Sequence, residues 1–142
     1  MASGIYNRFK ANLMLGVMDL NDTGADTIKC ALLDDNHSFD ADNNTWSQIS
    51  ANEASGVVYV AGGQALTNPT VTQNGTPDNN AVFDADNVTW ASETITAAFA
   101  VLYDDTLPGK DLICCFDFGG NKSSSNGDFV ISFDADGIIE LT

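Results

Sequence analysis

The stretch AAFAVLYDDTLPGKDLICCFDF, residues 97–118, decides the fold of this 142-residue chain. Its first part, Ala97–Tyr103, is apolar at every position, which is typical of a strand that is buried on both faces at the centre of a sheet. Asp104–Asp105 ends that strand, and residues 106–110 contain the Pro and Gly of a turn. Leu112–Phe118 is then the natural antiparallel partner, so the segment predicts a central β-hairpin.

Shorter strand patterns surround this hairpin. In Thr27–Leu33, Ile28, Cys30 and Leu32 alternate onto one face. We also predict strands at Val57–Val60, Ala65–Leu66, Thr70–Gln73, Ala81–Phe83, Val88–Trp90, Phe129–Phe133 and Ile138–Leu141. Residues 119–127 read as a polar loop, and Asp136–Gly137 as a tight hairpin turn between the last two strands. Many short strands separated by turns predict an all-β fold, an antiparallel β-sandwich or barrel-like domain.

The N-terminus has a different pattern. Ile5, Phe9 and Leu13 recur at helical spacing, which predicts a helix over residues 4–15. A cluster of turn-forming residues follows at Asn21–Gly24. We therefore expect a short N-terminal helical arm over residues 1–20 and a β-sandwich domain over residues 21–142.

The charge of the chain is strongly acidic. Twenty Asp and Glu side chains stand against five Lys and Arg, a net charge of −15. Such a surface repels nucleic-acid phosphates and anionic lipid, so we expect neither nucleic acid nor membrane as a partner. Residues 1–18 differ, because they carry Arg8 and Lys10 and no acidic residue. The arm is thus basic and apolar, while the body is acidic.

Two features predict synthesis in a reducing cytoplasm. The opening sequence is polar, and the apolar run Leu13–Met18 is too short for an export signal or a membrane span. The three cysteines, an odd number, lie in apolar runs and read as small buried hydrophobic residues. Cys114 and Cys115 are adjacent and should point to opposite faces of one strand.

One eight-residue word recurs. FDADNNTW at Phe39–Trp46 returns as FDADNVTW at Phe83–Trp90, and FDADG at Phe133–Gly137 is a shortened copy. The paired carboxylates could bind a cation, but Thr45 and Ala51 stand where a calcium-binding hand needs Gly and Glu. We favour the alternative, in which Phe anchors in the core and the Asp residues form a strand-ending turn. Likewise, the two Trp residues read as core anchors rather than as a sugar-binding platform.

Residues suited to catalysis are sparse. His37 is the only histidine, and the sequence contains no phosphate-binding glycine loop, nucleophile elbow or zinc-protease motif. A Cys–His nucleophile pair could form in space, although nothing in the sequence favours one. We therefore expect no catalytic residue, no cofactor and no bound metal, and a protein that is not an enzyme. A calcium- or glycan-binding β-sandwich module is retained as a further alternative.

Several segments of the chain resemble those of a known protein family in their residues, order and spacing. They are MASGIYNRFKANLM at the start, DTIKCALL at Asp26–Leu33, NEASGVVYVAGGQAL at Asn52–Leu66, AVFDADNVTWASETITAAFAVLYDDT at Ala81–Thr106, LICCFDFG at Leu112–Gly119, and the closing NGDFVISFDADGIIELT. Nearly end to end, the chain resembles small structural proteins from the virions of tailed bacteriophages and prophages. It departs from that pattern at Val57–Tyr59, where we expect Gly and Thr, and at Cys114–Cys115, where we expect Tyr or Ile.

The resemblance implies a non-enzymatic particle component, most similar to the cement or decoration proteins on the outer surface of phage heads. The implied partners are the major capsid protein and copies of the chain itself, as a homotrimer. A tail or head–tail structural protein of the same virion is the alternative. We expect the basic arm to supply the intersubunit or capsid contact, through Ile5, Tyr6, Arg8, Phe9, Lys10 and Leu13. Deletion of residues 1–15 should then abolish binding and leave the β domain folded.

Overall fold

The computed structural model describes residues 3–21 and 26–142, so most of the predicted turn at Asn21–Gly24 lies outside the described residues. The strands are β1 (Gly4–Ile5), β2 (Ile28–Leu33), β3 (Gln64–Ala65), β4 (Thr70–Asn74), β5 (Asn80–Asp84), β6 (Val88–Asp104), β7 (Leu112–Ile131) and β8 (Ile139–Leu141). Helix α1 spans Asn7–Leu15, and two 3-10 helices span Trp46–Gln48 and Ser50–Asn52. Within these residues the strands form two antiparallel sheets, in the orders β1-β7-β6-β2-β3 and β4-β5-β8. The predicted all-β antiparallel class is confirmed.

The hairpin of β6 and β7 forms the centre of the larger sheet. The predicted pairing of the two runs is confirmed, with Leu102 opposite Cys114 and Val101 opposite Cys115. On its other side β6 pairs with β2, from Ile28–Asp104 to Leu33–Phe99. Strand β6 is central because its residues 97–103 are apolar in both directions and can be covered on both faces of the sheet.

Two hydrophobic cores lie on opposite faces of this sheet. Between the sheets, Leu102 and Cys114 pack in one cluster with Phe83 of the smaller sheet. On the outer face, Tyr103 and Cys115 belong to a second cluster that contains the following residues: Tyr6, Ala31, Leu33, Ile49, Val101 and Leu112. Cys114 and Cys115 therefore point to opposite faces, and all three cysteines are free and buried. Both predictions about the cysteines are confirmed.

The prediction of a loop at residues 119–127 is wrong. Strand β7 continues through this segment to Ile131 and pairs with β6, for example at Thr96–Ser123. Gly119 and Gly120 adopt positive φ angles of 73° and 135°, and the register shifts at this point. The segment is polar because most of its side chains face solvent, not because it leaves the sheet. Composition alone did not distinguish an exposed strand from a loop.

The predicted hairpin around Asp136–Gly137 is also wrong. Strand β8 pairs with β5, with Phe83 opposite Ile139, and not with the end of β7. The turn at Asp134–Gly137 therefore carries the chain from one sheet to the other. The physical reason is that Ile138 and Ile139 are buried between the sheets only when β8 joins the smaller one.

Two further local predictions fail. Val57–Val60 is not a strand, and its valines are exposed. The predicted helix over residues 4–15 begins later, at Asn7, because Gly4 and Ile5 pair with Cys115 and Cys114 as strand β1. The N-terminal segment is therefore built into the edge of the larger sheet.

Candidate functional site

Helix α1 is anchored to the β domain along one side. Phe9 is only 1% exposed and packs between the sheets, and the side chain of Asn12 is buried as well. The buried carboxylate of Asp111 accepts hydrogen bonds from Arg8 Nε and Asn12 Nδ2, both at 2.8 Å. An ion pair to a buried and otherwise hydrogen-bonded carboxylate fixes position more firmly than one between exposed side chains. The orientation of α1 on the sheet is thereby set.

The opposite side of α1 and its C-terminal end are apolar and exposed. Met14 is 84% exposed and Leu15 71%. Gly16 ends the helix in the left-handed region, at φ 65°, and Val17 N–H donates to the carbonyl of Asn12 at 3.1 Å. This reversal buries Met18 and leaves Val17 exposed. Large apolar side chains clustered on a surface in this way mark a contact site.

An apolar groove continues from α1 onto the smaller sheet. We call it the α1–β8 groove, and it consists of two adjoining depressions of about 350 and 440 Å³. Its apolar lining includes Ile5, Phe9, Leu13, Met14, Val71, Phe83 and Leu141. Leu13 and Leu141 lie in both depressions and make them continuous. Lys10 and Asp19 stand at its edges.

The six residues predicted at a contact separate into two groups. Ile5, Lys10 and Leu13 line the α1–β8 groove, and Phe9 forms part of its floor. Tyr6 is fully buried in the outer core, and Arg8 is paired with Asp111. Tyr6 is fully buried and presents no surface to another subunit, and Phe9, 1% exposed, contributes only to the floor of the groove. Because β1, Tyr6 and Phe9 belong to the fold, deletion of residues 1–15 would also damage the β domain.

The sequence contained a signal for part of the groove that the prediction did not use. The run Leu13–Met18 holds more apolar residues than one helix face can bury, so some had to be exposed. No comparable signal exists for Val71 and Leu141, which are 48% and 51% exposed. Val71 is the single apolar residue of β4 and Leu141 is the last residue of β8, and only the pairing of the smaller sheet brings them to the groove.

The repeated word forms turns in two of its three copies. In the first, the backbone N–H of Asp42 donates to Asp40 Oδ1 at 3.0 Å, and in the third, Asp136 donates to Asp134 Oδ1 at 3.0 Å. These are the side-chain-capped turns that Asp favours. The second copy differs, since Asp86 accepts a hydrogen bond from the side chain of Asn68 at 2.6 Å. Turn formation therefore accounts for the first and third copies.

The second and third copies meet at an acidic depression on the smaller sheet. Asp84 and Asp136 lie there with Asp78 and Glu140, around a volume of about 480 Å³. Within residues 3–21 and 26–142, however, no group of three or more His, Cys, Asp or Glu side chains has a metal-binding arrangement. The depression is acidic and open, and the Asp residues do not converge on one point.

The two tryptophans occupy different environments. Trp90 is buried between the sheets against Tyr59 and Phe129, with ring centroids 5.6 and 6.4 Å apart. Trp46 is half-buried on the outer face and stacks on Tyr103, at 4.9 Å and 11°. Trp90 is thus a core anchor as predicted, whereas Trp46 covers the edge of the outer core and has one ring face occupied by Tyr103.

A Cys–His pair does form in space. His37 Nε2 lies 4.0 Å from Cys115 Sγ, and both side chains are buried. Burial raises the pKa of the Cys115 thiol to about 12. Burial also lowers the pKa of His37, and the negative charge of Asp34, which acts in the opposite direction, does not cancel this effect. Both groups are therefore neutral near pH 7. A cysteine nucleophile needs the opposite shift, toward a thiolate, so this pair is part of the core.

Glu93 is a buried carboxylate with a structural role. Its Oε1 accepts backbone hydrogen bonds from Val57 at 2.6 Å and Thr94 at 2.8 Å, and Val58 donates to both carboxylate oxygens. Burial raises the pKa of this carboxyl, but the backbone donors outweigh that effect and the pKa is lowered. Glu93 thereby holds the exposed segment around Val57 against β6.

The comparisons with known proteins give no relative. No protein-family model, curated protein or solved structure matches the chain. In the described part of the chain, no helix has the length and apolar content needed to cross a bilayer.

Proposed function

We propose that this chain is a non-enzymatic structural protein of a tailed-bacteriophage virion, and that it decorates the outer surface of the head. The identity of the particle rests on the resemblance carried by the chain's segments. The observation that carries a docking role is the α1–β8 groove, an exposed apolar surface with Lys10 at its edge, on a domain of net charge −15. An acidic monomer does not expose such a surface without cost, because it invites nonspecific contacts.

The partner in the groove is the major capsid protein and not a second copy of this chain. Two free copies repel each other through their acidic surfaces, whereas a capsid surface with apolar and acidic groups complements the groove and Lys10. Copies are then brought together by the shell, and we propose that they cluster as trimers there because closed threefold symmetry limits assembly. Many modest interfaces, each on the order of 1,000 Å², together strengthen the shell.

Co-sedimentation tests this proposal. Purified protein is mixed with mature empty heads that lack it and, separately, with isolated tails. We expect saturable binding to heads with a copy number that matches the lattice. Binding to tails alone, at a low copy number, would instead support the alternative of a tail or head–tail protein. Binding to neither particle would contradict both.

Paired variants test the groove. Met14→Glu/Leu15→Glu places charges at positions 84% and 71% exposed, so the fold should be unaffected. If these side chains lie at the centre of the contact, affinity for heads should fall about 30-fold or more. The matched control is Val57→Glu/Val60→Glu, at positions 78% and 70% exposed on another part of the domain. Loss of binding by the control alone would place the contact at Val57–Val60 instead.

A further inference from the structure

The carboxyl group of Asp104 is only partly satisfied by the protein. Asp104 ends β6 and is fully buried. Its Oδ1 accepts hydrogen bonds from the backbone N–H groups of Thr106 at 2.9 Å and Leu107 at 3.3 Å. Its Oδ2 is also buried and has no hydrogen-bond partner among the described residues. Burial of a carboxylate oxygen without a hydrogen-bond partner costs folding free energy, and a bound proton or cation would remove that cost.

A second carboxyl group lies close to that of Asp104. The side chain of Asp26 lies within hydrogen-bonding reach of the Asp104 carboxyl, next to the start of β2, where Ile28 pairs with Asp104. Asp26 is half-buried, and its Oδ2 accepts a hydrogen bond from the backbone N–H of Asp19 at 2.7 Å. Two carboxylates in such a position repel unless something positive lies between them.

The nearby basic side chains are engaged elsewhere. Lys29 Nζ and Lys110 Nζ both pair with Asp105, at 3.2 and 2.8 Å. Arg8 pairs with Asp111 at 2.8 Å. These are the ion pairs found within residues 3–21 and 26–142, and none of them includes Asp26 or Asp104. The protein therefore supplies a counter-charge to the neighbouring carboxylates but not to this pair.

We propose that Asp26 and Asp104 bind a hard divalent cation, Ca²⁺ or Mg²⁺, through Asp104 Oδ2 and the Asp26 carboxylate. Such cations bind oxygen, and Mg²⁺ in particular is commonly held by one or two carboxylates while water completes its shell. The site is separate from the repeated Asp-x-Asp turns. It joins the segment that follows α1 to the end of β6. Because Asp19 and Asn21 line the α1–β8 groove, cation binding would also stiffen one wall of that groove.

Thermal unfolding of the full chain tests the site. The protein is stripped with EDTA and then measured with EDTA, millimolar Ca²⁺ or millimolar Mg²⁺. We expect the Tm of the wild-type protein to rise by a few degrees with at least one of the two cations, because a ligand that binds only the folded state stabilises it. Calorimetric titration should give one site per chain. No Tm shift and no binding heat with either cation would overturn the proposal.

Two variants locate the site. Asp104→Asn keeps the acceptor for Thr106 and Leu107, and its amide can donate to Asp26. We expect it to lose the cation response and, in EDTA, to be at least as stable as the wild-type protein, since the repulsion is removed. Asp26→Asn should also lose the cation-dependent rise in Tm. If Asp104→Asn does not fold, Asp26→Asn alone tests whether the cation binds at this pair of carboxylates. A response that persists in both variants would place the cation elsewhere.

A matched control separates this site from the repeated word. Asp136 is an exposed aspartate of the third copy, and it lines the acidic depression. Asp136→Asn should retain the full Tm shift. Loss of the shift in this variant would overturn the assignment to Asp26 and Asp104 and would support calcium binding by the turns. Neither outcome depends on particle binding, so the test is independent of the proposed function.

Discussion

The ionisation of His37 depends on its surroundings in the fold. Its ring packs edge-on against Phe99 at 5.0 Å and lies beside the thiol of Cys115, with Asp34 as the nearby charge. Burial lowers its pKa below the ordinary value, and the negative charge of Asp34 only partly opposes this. The folded protein therefore holds His37 uncharged at a pH where the unfolded chain already binds a proton.

We predict that His37 makes the protein less stable in mild acid. Since the unfolded chain binds the proton more tightly, the free energy of unfolding is highest above the unfolded pKa of about 6.5 and falls as the pH drops below it. Urea unfolding at pH 7.5 and pH 5 measures this loss. His37→Gln cannot take up the proton, so the loss between the two pH values should be smaller in that variant. An equal loss in both proteins would assign the acid sensitivity to the carboxylates instead.

Helix α1 combines two roles on its two sides. On one side, Phe9 and Asn12 are buried in the interior, and the side chain of Asn12 donates a hydrogen bond to the carboxylate of Asp111. The other side presents Met14 and Leu15 to solvent. The helix is short, at nine residues, and isolated helices of that length are marginal in water, so its stability comes from this packing. A change on the inner side therefore tests folding, while a change on the outer side tests contact with a partner.

We predict that substitutions on the two sides of α1 differ sharply in their effect on stability. Phe9→Ala removes a fully buried ring and should lower the free energy of unfolding by about 3–5 kcal/mol. Leu15→Ala, at a position 71% exposed, should change it by no more than about 0.5 kcal/mol. Urea unfolding of both variants measures the difference. Similar losses would mean that Leu15 is packed in solution and that the outer side of α1 is covered.

At the scale of the whole molecule, charge opposes self-association. The net charge of −15 gives copies of the chain a mutual repulsion, while the α1–β8 groove gives them an apolar surface through which they could associate. The balance depends on ionic strength, because the screening length falls from about 10 Å at 0.1 M salt to about 3 Å at 1 M.

We predict that the free protein is monomeric in about 0.1 M salt and associates weakly in about 1 M salt, where the repulsion is screened. Sedimentation velocity measures both states. Met14→Glu/Leu15→Glu should remain monomeric in both, and Val57→Glu/Val60→Glu should behave as the wild-type protein. A stable oligomer in 0.1 M salt that persists in Met14→Glu/Leu15→Glu would contradict the prediction and would reveal another contact between copies.

The amino-acid sequence by itself determined the fold class and the centre of the larger sheet. The apolar run of β6 could be buried only between two covered faces, and its partner followed after a turn with Pro and Gly. The positions of the cysteines followed for the same reason, since neighbouring residues of a strand point to opposite faces. These features depend on local period and composition, which are properties of the sequence.

Only the tertiary structure decided which strands pair and which surfaces remain exposed. Strand β8 joins β5 because burial of Ile138 and Ile139 between the sheets outweighs the short turn that would have kept it beside β7. The α1–β8 groove depends on that choice, as β8 brings Leu141 to Leu13. The pairing of Asp26 with Asp104 likewise joins residues far apart in the chain. Such contacts depend on which distant segments share a core, and a local pattern carries no information about that choice.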